Sequence, residues 1–158
     1  MIRLEDENIV LRSVDFSDID TLLLWENSNN DPLYGVFEEQ YNRQDIERFV
    51  QRQLQYPIEQ TEQLRLMICS HGGERLGCVD LTEYDGCKAF ISILIYDSYN
   101  RRKGFAKSAL KLLIKYAVNL GLHTLHAIVL PENGPSTRLF KSLGFINNGG
   151  IFYHLSLQ

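Results

Sequence analysis

The chain has 158 residues, 44% hydrophobic and 23% charged, with a formal net charge of −4. That length suits one packed domain over residues 1–158, and the composition is neither disordered nor fibrous. No apolar run approaches the about 20 residues of a membrane span, and Glu5, Asp6 and Glu7 interrupt any secretory leader, so membrane and export roles are not expected.

Residues 9–14 alternate and are β-rich, which predicts a first strand. Ser17 and Asp20 have the spacing of a helix-start box, and Ile19, Leu22, Leu23 and Trp25 follow as a first helix. Residues 27–32 are a polar breaker, and residues 34–41 an aromatic, acidic loop or short helix. Asp45 opens a second helix with Ile46, Phe49, Val50 and Leu54 inward, ended by Pro57. Strands over 64–70 and 76–84 flank a hairpin turn at His71-Gly72-Gly73. In the second of these, Gly77, Val79 and Leu81 fall on one face and Cys78, Asp80 and Thr82 on the other. A fourth strand spans 89–96. A long helix spans 104–120 and stops at Gly121. A fifth strand covers 124–130. Pro135 lies in the first turn of a short helix that ends before Gly144, and 152–157 is a last strand. This order implies a mixed, mostly antiparallel sheet with helices on both faces.

Cys69, Cys78 and Cys87 form no Cys-x-x-Cys pair and read as reduced thiols of a cytoplasmic protein. With His71, His123, His126 and His154 they make no metal-ligand pattern, so no metal is expected. The charge is uneven. Residues 1–62 hold 14 acidic and 5 basic residues, a net of −9, and the remainder is net +5. The basic part suits a polyanionic ligand and the acidic part a cationic one. The basic residues cluster on one turn and helix without interleaved aromatics, which argues against nucleic acid as partner.

The densest chemistry lies at Arg101-Arg102-Lys103-Gly104-Phe105-Ala106-Lys107, between an apolar strand and the long helix. The first N–H groups of a helix lack intrahelical acceptors and face the positive end of its dipole, so a strand–glycine–helix turn is an anion site. Small residues at 104 and 106 allow a phosphate to approach the backbone. The glycines of a P-loop or a dinucleotide fingerprint are missing, which disfavours an ordinary nucleotide-binding domain. Lys103, Lys107, Lys111 and Lys115 form a stripe; the last two read as a solvated face.

Arg101-x-x-Gly104-x-Ala106 resembles the Arg/Gln-x-x-Gly-x-Gly/Ala motif of the GNAT superfamily of acetyl-CoA-dependent N-acetyltransferases. The segment from Glu132-Asn133 through Ser136 to Gly144-Phe145 resembles that family's second motif. The opening, with Leu11-Arg12, Asp18 and Trp25-Glu26-Asn27, is similar to the branch of ribosomal-protein and spermidine N-acetyltransferases. The resemblance implies a GNAT-like sheet of about six to seven strands, splayed between the fourth and fifth. It implies acetyl transfer from acetyl-CoA to a primary amine, with no metal. Backbone groups of Leu94, Ile95 and Tyr96 would run along the pantetheine, and N–H groups of residues 102–107 would hold the pyrophosphate. Arg101, Asn133 and Phe140 would complete the cofactor site, and Ser136 is a helix N-cap candidate.

Two family positions differ. The frequent tyrosine seven residues after the asparagine is Phe140, and the frequent glutamate five residues before it is Ile128. Neither the general acid nor the general base can therefore be carried over. Tyr96 and Tyr153 are candidate acids. Asp80 is the preferred base and Glu83 the runner-up, with Glu38 and Glu39 as candidates to hold a cationic acceptor. The six residues after Phe145 leave little room for two strands and a sizeable loop, so the acceptor side should be open or completed by a second subunit of a homodimer. The other reading is a non-catalytic acyl-CoA-binding or regulatory module.

Overall fold

Residues 1–28 and 41–158 are described by the structure, a computed structural model. The expectations for residues 29–40, Glu38 and Glu39 among them, lie outside the described residues. Eight strands form one sheet in the order β1-β2-β3-β4-β5-β6-β8-β7. They are β1 Arg3–Glu5, β2 Val10–Ser13, β3 Leu64–Cys69, β4 Arg75–Thr82, β5 Lys88–Ile95, β6 Thr124–Ile128, β7 Ile146–Gly149 and β8 Phe152–Ser156. Every neighbouring pair is antiparallel except β5 and β6.

The count exceeds the expected six to seven because both edge strands escape periodicity. β1 has only three residues. β7 reads Ile-Asn-Asn-Gly, is exposed throughout, and is held by its pairing with β8. Gly149 and Gly150, both at positive φ, close that hairpin tightly. Two strands therefore do fit after Phe145, joined by a turn and not by a sizeable loop.

Among the described residues five α-helices accompany the sheet: α1 Ile19–Ser28, α2 Arg43–Gln55, α3 Ile58–Thr61, α4 Phe105–Asn119 and α5 Gly134–Ser142. The first cap differs from the Ser17/Asp20 reading. Asp15 and Asp18 form the capping box of a 3-10 turn, Phe16–Asp18, that leads into α1. Asp18 wins this place because its fully buried carboxylate also accepts from Arg12 at 2.8 Å and from Arg75 at 2.7 Å. Burial alone would raise its pKa; the bonds from Arg12 and Arg75 outweigh it and hold the carboxyl below its usual range. Asn42, and not Asp45, caps α2; Asp45 is the reciprocal partner three residues on. The single-turn α3 lies directly after Pro57.

The sheet is packed on both faces. Leu110, Leu113 and Ala117 of α4 share a core with Leu66, Ile68, Val79 and Leu81. Leu22 and Trp25 of α1, with Ile46 and Val50 of α2, share a second core with Met67, Cys69 and Cys78. The alternation read along β4 thus holds. Asp80 belongs to the α1/α2 face, opposite Arg65 on β3 and Ser92 on β5.

The one parallel pair is also the shortest in proportion to its strands. β5 and β6 pair at Lys88/Thr124, Ala89/Leu125 and Phe90/His126, and no further. β5 nevertheless continues to Ile95. The sheet opens between these two strands, as the resemblance implied. Past Phe90, the edge of β5 that faces β6 has no ladder partner among the described residues, which leaves backbone polar groups there for a ligand, apart from Ile95 O, which accepts from Arg101.

Candidate active site

Two cavities lie in and beside this opening. The first, of about 650 Å³, is bounded by residues 91–94 of β5 on one side and residues 128–130 on the other. The second, of about 500 Å³, is bounded by Ile95, residues 104–107, Arg101, Arg102 and the α5 residues Pro135, Arg138 and Leu139. Ile93, Asn133 and Ser136 line both, so the cavities meet there.

The second cavity has the anion-site geometry read from the sequence. Arg102 sits at φ 63 and Gly104 at φ 82, so the chain turns sharply before α4. Gly104 is the N-cap of α4 and supplies no side-chain cap; the first intrahelical bond runs from Ser108 N to Gly104 O. The N–H groups of Phe105, Ala106 and Lys107 thus face outward, where a helix N-terminus favours negative charge. A Cβ built on Gly104 would meet no protein atom within 4 Å, so the space beside this backbone is open. Arg101 is anchored by its Nε donating to Ile95 O at 3.3 Å. Lys103 rests its ammonium over the Tyr99 ring, 3.7 Å from the centroid. Arg138, from α5, adds a cation on the opposite wall that the motif did not single out. These features fit the diphosphate of a CoA thioester.

Asn133 is placed by its own helix. It is buried, and its Oδ1 accepts from Ser136 N at 3.1 Å as the N-cap of α5. Ser136, expected as an N-cap candidate, lies inside the helix, because Asn133 already occupies the cap. Phe140 is 4% exposed, stands edge-on to Phe145 at 5.1 Å, and lines the first cavity.

The first cavity brings aromatic and charged side chains together. Its lining includes Trp25, Tyr41, Phe49, Glu26, Arg65 and Asp80. Arg65 donates from Nε and Nη2 to the two oxygens of Asp80, both at 2.8 Å, and from Nη1 to Glu26 Oε1 at 2.7 Å. The Phe49 ring lies 5.0 Å from its guanidinium carbon. Burial works to lower the pKa of Arg65, but the charges of Asp80 and Glu26 prevail and keep it well above the ordinary value. Burial pushes the Cys78 thiol up to about 12, so it stays protonated.

Leu94 lines the first cavity and Ile95 the second. Tyr96 lines neither; its ring stacks on Trp25 at 5.5 Å and its N–H donates to Leu76 O. Tyr153 is buried in the α4-side core. Among the described residues the tyrosine on the cavity wall is Tyr41. Glu83, at φ 51 just past β4, also lies outside both linings. Arg65 and Glu26 were missed as site residues, although one signal was present. Arg65 and Asp80 are isolated opposite charges in two apolar strands joined by one hairpin, which is how a cross-strand ion pair reads. Glu26 comes from a helix far away in sequence, and only the packing of α1 on the sheet brings it in. No group of three His, Cys, Asp or Glu side chains able to hold a metal ion occurs among the described residues.

The family description Acetyltransferase (GNAT) domain matches residues 8–146. The chain belongs to that family. A curated relative, an uncharacterized protein of Methanocaldococcus jannaschii, is 25% identical over 143 residues. That match covers 89% of this chain and 28% of the relative, so the GNAT chain spans little more than a quarter of that protein's length. Among solved structures, the spermidine N-acetyltransferase of Vibrio cholerae in complex with CoA and spermine is similar with a TM-score of 0.81, 20% identity and 96% of each chain covered. The ribosomal-protein-S5-alanine acetyltransferase of Vibrio fischeri gives a TM-score of 0.78 at 16% identity, over 99% of this chain and 97% of that one. At these identities the two likenesses establish the fold.

Proposed function

We propose that the chain, as one GNAT domain over residues 1–158, transfers the acetyl group of acetyl-CoA to a primary amine of a small-molecule or protein acceptor. The observation that carries this reading is the meeting of a cationic cradle and an aromatic, carboxylate-bearing cavity at Ile93, Asn133 and Ser136. A cofactor entering one cavity and an amine entering the other come together at the opened edge of β5.

On the cofactor side, the open edge of β5 at Ile93 and Ile95 meets the pantetheine arm, with Leu94 on the cavity wall, while the N–H of Tyr96 is spent on Leu76 O. Arg101 and Arg102, with the N–H groups of Gly104, Phe105, Ala106 and Lys107, take the pyrophosphate, while Lys103, resting on the Tyr99 ring outside the cavity lining, adds positive charge nearby. Asn133 and Phe140 bound the thioester end. The amine nitrogen, unprotonated, attacks the thioester carbonyl; a C–N bond forms, the C–S bond breaks, CoA leaves as thiolate, and the proton lost from nitrogen passes to water. A thiol of pKa about 8.5 is an adequate leaving group without a positioned acid, which fits phenylalanine at 140.

Asp80 remains the proposed carboxylate partner of the reacting amine. With both oxygens engaged by Arg65, it can take a proton only by loosening that pair. The acidic N-terminal half supports a cationic acceptor, which a carboxylate-lined cleft would concentrate. Exposed Ile128, Ile146 and Phe152 share one face of the C-terminal strands, which supports a homodimer covering that face. No helix among the described residues is long and apolar enough to cross a membrane. Three free cysteines support a cytoplasmic setting.

The test is release of CoA thiol from acetyl-CoA with a panel of amines, paired with Gly104→Val. Valine at φ 82 costs about 1–2 kcal/mol of backbone strain and places its side chain in the open cradle. The wild type should release thiol with an amine present, and the folded variant should lose CoA binding. No thiol release with any amine points to an acyl-CoA-binding module instead, and unchanged CoA affinity in Gly104→Val overturns the cradle.

A further inference from the structure

The acceptor cavity contains two carboxylates bound to one guanidinium, and they are not equivalent. Asp80 spends both oxygens on Arg65. Glu26 spends one, Oε1; its Oε2 has no hydrogen-bond partner among the described residues. The side chain of Glu26 is also the more open of the two, 24% exposed against 12% for Asp80. The three charges sum to −1, and the uncompensated part sits on the free oxygen of Glu26. That oxygen belongs to a cavity walled by Trp25, Tyr41 and Phe49, and the faces of aromatic rings attract cations. One face of Phe49 is already taken by Arg65 and one face of Trp25 by Tyr96, so the part of this wall left open to a cation is the Glu26 carboxylate.

We propose that Glu26 binds an ammonium group of the acceptor other than the reacting amine, with its Oε2 accepting an N–H from that nitrogen, and that Arg65 positions it. This assignment rests on the acetyl transfer proposed above. Arg65 acts as a clamp: it ties Glu26 of α1 to Asp80 of β4 through β3, and Phe49 of α2 covers the guanidinium. Glu26 therefore presents its free oxygen from a fixed frame, with little side-chain freedom left to lose on binding. Two Arg65 N–H groups remain, one on Nη1 and one on Nη2, so the competing occupant is an acceptor carboxylate or carbonyl.

Glu26→Gln separates these. The amide oxygen can still accept from Arg65, so the clamp stays, while the charge and the free carboxylate oxygen are lost. With acetyl-CoA saturating and spermine as the probe amine, KM for spermine should rise roughly tenfold, as for loss of one charge-assisted hydrogen bond. The kcat and the CoA affinity, the latter measured by calorimetry, should stay within about twofold, a span below the factor of ten that 1.4 kcal/mol represents. Asp80→Asn should raise that KM less than Glu26→Gln does. Thiol release with an unmoved spermine KM in Glu26→Gln overturns the assignment alone. A lowered KM for an amine that also bears a carboxylate would hand the site to Arg65. No thiol release by the wild type with any amine overturns the transfer reaction and this assignment together.

Discussion

At the scale of single residues, Phe140 bears most directly on the proposed departure of the thiolate. It fills the position where similar GNAT proteins often have a tyrosine, and its buried ring is held edge-on by Phe145. Neither candidate acid lines the cavity: the Tyr96 ring stacks on Trp25 and Tyr153 lies in the core, while Tyr41 stands on the cavity wall. Phe140→Tyr would place a hydroxyl on the cavity wall, where an unpartnered buried donor costs about 1–3 kcal/mol unless the departing sulfur or water satisfies it. The expected outcome is a kcat that is unchanged or raised, with a loss in thermal stability read from the melting curve. Tyr96→Phe and Tyr153→Phe should leave kcat nearly as it was. A collapse of kcat in either would identify a relocated acid and reject departure of an unassisted thiolate.

At the scale of elements, the opening between β5 and β6 depends on how closely β4 holds β5 on its other side. A Cβ on Gly77 would lie 1.9 Å from the carbonyl oxygen of Leu94, well inside any real contact. Gly77→Ala must therefore push β5 away at Leu94 and Ile95, the residues proposed to face the cofactor. Overpacking of this kind costs about 1–3 kcal/mol, and CoA affinity should fall alongside stability. A variant with lowered melting temperature and wild-type CoA affinity would detach the β5 backbone from cofactor binding. Elements of this size were legible in the sequence because their patterns are long: the helix over 104–120, the β4 alternation and the strand–Gly–helix turn all appear where the sequence reading placed them. β1 and β7 were not legible, since three- and four-residue polar edges carry no period and form by pairing with neighbours. The site was half legible for the same reason. The cradle is one contiguous run, whereas Glu26, Arg65 and Asp80 come from three elements and meet only through sheet register and helix packing.

At the scale of the whole molecule, the charge asymmetry of the sequence becomes a division between the two cavities. Arg101, Arg102, Lys107 and Arg138 surround one; Glu26, Asp45 and Asp80 stand around the other, with Arg65 between them. Opposite potentials a short distance apart would draw a polyanionic cofactor and the proposed cationic amine into neighbouring places while discouraging exchange of the two. The same field has a chemical cost. Carboxylates near an ammonium raise its pKa, and only the unprotonated amine attacks the thioester. Activity should therefore rise with pH across the neutral and mildly alkaline range as the acceptor loses its proton. Salt should act on binding. The Debye length shrinks from about 10 Å at 0.1 M to about 3 Å at 1 M, which screens the attraction across an open cavity mouth. The expected result is a KM for a multiply charged amine that climbs with ionic strength while kcat changes little, and a KM for a singly charged amine that climbs less. A KM insensitive to salt, or a neutral or anionic amine as the best acceptor, would reject electrostatic selection of the acceptor and leave the GNAT fold and its cofactor cradle as they stand.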